Sequence, residues 1–251
     1  MKIIRVRHGS QDQWAIMEGD NAHALEGDPY ATASKGPLIG PLKDLKLLCP
    51  ILPDNKIVII LENWRDKAGR AFPSFIIKNP HARINPGETV IYPNIAKRVF
   101  FETELGIVIG KKCKSLALAQ ARDHILGYTI SNDMTNFEYS INIGESGHIF
   151  GKQFDTFSSV GPCIATGLDP LDLRMSGKIN GEQFYETNSG EMLWNAYELV
   201  SWVSQVTTLY PGDVISCGAP KGAMDRQTYP GDQITLVIDG IGAMDFDVRA
   251  E

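Results

Sequence analysis

The sequence is short of several features that would each assign it to a particular class of protein. It has only four cysteines, Cys49, Cys113, Cys163 and Cys217, dispersed along 251 residues with no CxxC pair. That leaves no disulfide framework and no soft-metal cluster to read from spacing, and reduced, buried thiols are expected. Basic charge is also in deficit, with 24 Lys and Arg against 30 Asp and Glu and a net charge of -6. No positive field is therefore available to attract nucleic acid or anionic lipid. Long apolar runs are missing: Ile57 to Leu61 and Leu105 to Ile109 fall far below the roughly 20 residues that span a bilayer. Arg5, Arg7 and His8 occupy the place where a signal peptide needs its apolar core. A cytoplasmic chain with neither nucleic acid nor membrane as partner is expected.

What is present suits a globular protein. A composition 43% hydrophobic and 22% charged fits one domain, or one with a small appendage. A chain of this length buries about three quarters of its unfolded surface, so any metal it binds would serve function and not stability.

Turn signals divide the chain. Short strands are predicted at Lys2 to Val6, Trp14 to Met17 and Ala22 to Leu25, separated by Gly9-Ser10-Gln11-Asp12 and Gly19-Asp20-Asn21, which describes a small β unit. A connector, Gly36-Pro37-Leu38-Ile39-Gly40-Pro41, follows, and a boundary is placed near residue 53. Beyond it, Pro86-Gly87-Glu88, Pro211-Gly212-Asp213 and Pro230-Gly231-Asp232 each precede a β-rich run, the punctuation of a mostly β domain. Two helices are predicted within it. One runs over Leu116 to Leu126 with Ser115 as cap and Gly127 as stop; the other runs from about Glu191 to Gln205, capped by Asn188 or Ser189.

The segment richest in chemistry is Glu102-Thr103-Glu104-Leu105 within a β-branched and aromatic run. Residues two apart in a strand project to one face, so Glu102 and Glu104 point together. Two carboxylates held that close repel unless a proton or cation lies between them. Asp133 lies in the next strand-like segment, Gly127 to Asp133, where a strand, helix, strand passage can bring it beside them. Three carboxylates without clustered His or Cys form a hard oxygen site suited to Mg²⁺, Mn²⁺ or Ca²⁺ and poorly to Zn²⁺. A solvated acidic strand face, with Asp133 as an unrelated cap, is the alternative on spacing alone.

These segments, together with Gly151-Lys152-Gln153-Phe154-Asp155, Gly161-Pro162, Tyr210-Pro211-Gly212-Asp213 and Gly218-Ala219-Pro220-Lys221-Gly222, resemble the fumarylacetoacetate hydrolase superfamily in order and spacing. The resemblance implies an α+β, predominantly β chain. Its expected architecture is a mixed β-roll of the fumarylacetoacetate hydrolase C-terminal-domain type over 54–251, with a small N-terminal β domain and connector over 1–53. It implies a homodimer, Mg²⁺ or Mn²⁺ on carboxylates matching Glu102, Glu104 and Asp133, and a lysine matching Lys152 beside the metal. Members act on small anionic 2-oxo acids and β-dicarbonyl compounds by C–C hydrolysis, decarboxylation, tautomerisation or dehydration. The chemistry is coherent: such a substrate chelates a divalent cation through two oxygens, the cation stabilises the enolate, and Lys152 supplies a second positive charge. Without that context, a surface Lys152 paired with Asp155 is the simpler reading.

The sequence departs from the family pattern in its lid. The usual Asn-Tyr-x-x-His-x-x-Glu corresponds here to Asn63-Trp64-Arg65-Asp66-Lys67-Ala68-Gly69-Arg70. Lys67 replaces the histidine that moves protons, and Arg70 replaces its glutamate. Lys67 is accordingly expected to bind an anion or, if desolvated, to act as the base, and Arg70 to bind substrate. Phe137 stands where an arginine is usual and Ala219 where a threonine is, which points to a substrate that is bulkier, less polar at that end, or different in kind from the simple 2-oxo acids. His148 and His81 are weak substitutes for the missing base. A non-catalytic, metabolite-binding or partner-assisting member of the family is the alternative reading.

Overall fold

The structure is a computed structural model that describes residues 1–64, 71–142, 146–220 and 222–251. Strand accounts for 45% of it and helix for 14%, the predominantly β balance of the expected fold class. Among the described residues, the main sheet is 12-stranded. At its centre Thr103–Ile109 pairs antiparallel with Ile125–Asp133 on one side and Val214–Ser216 on the other. Ile57–Leu61 runs parallel to Val214–Ser216 and pairs with Ser74–Ile77 at the edge. A second sheet of five strands contains Arg174–Ile179, Gln233–Ile238 and Gly242–Ala250.

Period-two side-chain alternation explains the apolar runs. Val58 and Ile60 join the large core that also holds Met175, Leu236 and Phe246 of the second sheet. Ile57 and Ile59 join a smaller core with Ile3, Val108 and Ile164. The central strands are covered on both faces, so they read as continuous hydrophobic stretches. Each Pro-Gly-x turn stands before a strand: Val90–Tyr92, Val214–Ser216 and Gln233–Ile238. All four cysteines are free and buried. No helix among the described residues is long and apolar enough to cross a membrane.

Three local expectations are corrected. The Gly36 to Pro41 connector is part of a strand, Ser34–Pro41, that pairs with Asn21–Glu26 at the far edge of the sheet. Edge strands tolerate proline because one row of N–H groups has no ladder partner. The first helix is a 3-10 turn over Leu118–His124, and Ser115 does not cap it. Instead Ser115 has φ 53, and its N–H and that of Leu116 bond to Ser204. Gly127 lies inside the Ile125–Asp133 strand. A Cβ there would sit 2.5 Å from the Ala165 carbonyl, so close strand approach, not helix termination, requires glycine. The later helix is Ala196–Val206, and its cap is Asn195, which with Glu198 completes a capping box. Those two reciprocal bonds outcompete the earlier start. Asn188 caps only the short turn Ser189–Glu191.

Candidate metal centre

The antiparallel register aligns Thr103 with Asn132 and Glu104 with Ser131, which places Asp133 beside Glu102, whose carbonyl accepts the Asp133 N–H at 3.3 Å. The strand-face expectation for Glu102 and Glu104 is realised in the interior. Glu102 is 3% exposed, Glu104 and Asp133 0%. One oxygen from each lies within 4.8 Å of the others, the only such acidic, His or Cys cluster among the described residues. The solvated acidic face is thereby ruled out.

Each carboxylate is oriented by neighbours. Glu102 accepts from Thr135 Oγ1 at 3.0 Å and from Lys152 at 3.1 Å. Glu104 accepts through one oxygen from the Ser216 hydroxyl and from the Gly218 N–H at 2.9 Å. A side chain at Gly218, where φ is 92, would meet the Ile60 carbonyl at 2.7 Å, so only glycine brings that N–H to Glu104. Lys152 follows the short Ser146–Phe150 helix and donates to Asp133, Glu102 and, at 2.7 Å, Thr135. Asp155 is not among these partners.

The site contains a second lysine that the sequence does not advertise. Lys78 is 1% exposed and donates to the other oxygen of Asp133 and to the Met134 carbonyl at 3.0 Å. Following Ser74–Ile77 and preceding Asn79-Pro80, it reads as a solvated strand end. Its burial follows from strand order, because its N–H bonds to the Ile57 carbonyl at 2.9 Å.

The protonation states diverge. Burial pushes Glu104 well above the usual carboxylate range, and Asp133 and Glu102 add to it. Burial also raises Glu102, against the pull of Lys152. For Asp133 burial acts upward too, but Lys152 and Lys78 together outweigh it and hold the carboxyl low. Burial works to lower Lys152, yet Asp133, Glu102 and Glu104 raise it above its ordinary value. Burial depresses Lys78. The other oxygen of Glu104, Oε1, is buried with no hydrogen-bond partner. A buried acceptor without a donor, in an all-oxygen set with an acid that burial keeps from ionising, fits a hard divalent cation.

Above the carboxylates is a cavity of about 730 Å³ lined by Glu102, Glu104, Thr135 and Lys152 and by Trp64, Phe137 and Met224, among others. Glu62, with φ 56, also lines it. Phe137 and Ala219 are both on the wall. His81 is exposed and lies outside the lining. Lys67 and Arg70 fall outside the described residues.

Comparison with known proteins gives the family. The family described as fumarylacetoacetate (FAA) hydrolase C-terminal matches residues 60–249, and an Rv2993c-like N-terminal family matches residues 1–50. The chain belongs to the fumarylacetoacetate hydrolase family. The crystal structure of a 2-hydroxyhepta-2,4-diene-1,7-dioate isomerase from Mycobacterium marinum superimposes with a TM-score of 0.92 at 34% identity, covering 100% of this chain and 99% of that one. A maleylpyruvate hydrolase from Sphingobium sp. SYK-6, solved with manganese(II) and pyruvate, gives 0.82 at 27% identity, with 100% and 99% coverage. The mitochondrial oxaloacetate tautomerase FAHD2A of Bos taurus is 30% identical over 85% of this chain and 72% of its own. These relatives are enzymes, and the chain is an enzyme of their family, which sets aside the non-catalytic alternative.

Proposed function

We propose that this enzyme depends on a divalent cation, Mg²⁺ or Mn²⁺, held by Glu102, Glu104 and Asp133. We further propose that it acts on a small β-dicarbonyl compound or 2-oxo acid through the enolate, with enol–keto tautomerisation as the leading reaction. The observation that carries this reading is the set of three buried carboxylates within 4.8 Å, one oxygen of Glu104 lacking a donor, with Glu102 and Glu104 on the lining of an open cavity. When bound, the cation would polarise two substrate oxygens and stabilise enolate charge.

The remaining chemistry belongs to side chains. Lys152, kept protonated by three surrounding carboxylates, acts as a fixed positive charge for a developing oxyanion and not as a base. Thr135 and Lys152 hold Glu102, and Ser216 and Gly218 hold Glu104, so the carboxylates stay oriented through turnover. Tautomerisation, like decarboxylation or dehydration, needs enolate stabilisation and a proton relay, whereas C–C hydrolysis also needs an activated water. The usual activating pair is replaced by Lys67 and Arg70, to which we assign the capture of the anionic, oxygen-rich end of the substrate. Phe72, stacked on Trp202 and 56% exposed, offers an apolar surface on which we place the contact of a homodimer. We place the enzyme in the cytoplasm, with 1–53 as a small β domain and 54–251 as the catalytic one.

The test is consumption of the enol forms of oxaloacetate and of an acylpyruvate by the purified protein with Mg²⁺ or Mn²⁺. Chelation should abolish it, and Glu104→Gln should weaken cation binding by at least about tenfold. No enol consumption with either cation overturns the reading.

A further inference from the structure

The cavity is larger and less polar than the chemistry at its floor demands. Its volume, about 730 Å³, lies in the range of about 300–1,000 Å³ typical of pockets that enclose drug-sized ligands. The carboxylates and Lys152, in contrast, address only the small oxygen-rich end of a substrate. Lys152 is the one cation on the lining among the described residues. Its ammonium is already spent on Glu102, Asp133 and Thr135, three acceptors for three donors. Of the other polar side chains on the wall, Glu62 is anionic and Ser74 neutral.

The rest of the wall offers carbon and sulfur. Trp64 gives its ring N–H to the Gly218 carbonyl at 2.9 Å, so it presents only ring carbon to the cavity. Phe137 stands edge-on to Phe100, ring centroids 6.1 Å apart, with the Arg98 guanidinium 5.4 Å from its centre. It is a braced surface and not a loose one. Met224 adds a polarisable thioether that adapts to flat rings.

We propose that the site selects a 2-oxo acid whose distal arm is apolar, aromatic or branched, and that Trp64, Phe137 and Met224 form the selecting wall. This rests on the reading that the carboxylates and Lys152 receive the oxygen-rich end. A second carboxylate laid against Trp64, Phe137 and Met224 loses hydration, and none of these three side chains offers it a free donor, whereas a ring leaves water for apolar contact. The wall thus both attracts one arm and rejects the other.

The experiment is calorimetry on the full chain loaded with Mn²⁺, which needs no turnover. Oxalate reports the oxygen-rich end alone, while 2-oxo-4-phenylbutanoate and 2-oxoglutarate carry arms of equal length ending in a ring or a carboxylate. The phenyl compound should bind at least about tenfold more tightly than 2-oxoglutarate. Phe137→Ala should shrink that ratio with oxalate affinity unchanged, and Met224→Lys, in an accessible turn, should raise 2-oxoglutarate affinity. Equal or tighter binding of 2-oxoglutarate by the unaltered protein, or a ratio that neither substitution moves, overturns the proposal. If the arm preference is lost while enols are still consumed, only this inference falls. If the preference holds and no enol is consumed, only the proposed reaction falls, and failure of all three ligands to bind refutes both.

Discussion

Replacing Lys78 by Met removes one positive charge from the interior while keeping an unbranched, adaptable side chain of similar length. The ammonium is wholly buried, donating to Asp133 and to the Met134 carbonyl. Its loss leaves that carbonyl without this donor and Asp133 dependent on Lys152. Removing one partner of a buried ion pair costs about 3–5 kcal/mol. Because Lys152 still contacts Asp133, the lower end applies, about 3 kcal/mol. A chain of this size loses roughly 2–4 °C of Tm per kcal/mol, so the variant should melt about 6–12 °C below wild type. Differential scanning calorimetry in the presence of a chelator measures this without interference from bound cation. Cation affinity should move the opposite way, because the ammonium competes with a cation for the same carboxylate. A unit charge a few ångströms away is worth several kcal/mol at an effective dielectric near 20 before screening, so Mn²⁺ should bind at least about tenfold more tightly. A variant that melts within about 1 °C of wild type and binds Mn²⁺ equally well would refute the charge balance drawn here.

Burial holds the Glu104 carboxyl well above its unfolded value, so its contribution to metal-free stability is present below the ordinary carboxylate range and lost as pH rises through the folded pKa. Asp133, held low by Lys152 and Lys78 against burial, contributes in the opposite sense, and its share is lost on acidification. Since a cation needs Glu104 ionised, Mn²⁺ binding should release a proton and strengthen with pH, as read by calorimetry in buffers of different ionisation enthalpy; binding with no proton release contradicts this. Lys67→Met should mainly raise KM if the lid lysine captures an anion, whereas loss of a base would cut kcat by about 10² or more; unchanged kinetics would remove both roles. Light scattering at micromolar concentration should give the mass of a dimer, and a monomer mass would contradict the proposed assembly.

The sequence by itself determined what depends on short-range periodicity and on residue type. The spacing of Glu102 and Glu104 put both on one face whatever the sheet order, because strand side chains alternate strictly. The Pro-Gly-x turns marked three strand starts. The motifs from Glu102 to Gly222 were enough to point to the family. Tertiary structure decided what depends on which strands become neighbours. Lys78 and Asp133 are 55 residues apart and Glu104 and Gly218 114, and no local pattern encodes those meetings. Lys152 is the clearest contrast: nearby in sequence stands Asp155, yet Lys152 bonds to Asp133 and Glu102. Two buried carboxylates without enough donors outbid one that water can solvate. The same competition decided Gly127 and Ser115, where neighbouring backbone overrode the signals for a helix stop and a helix cap.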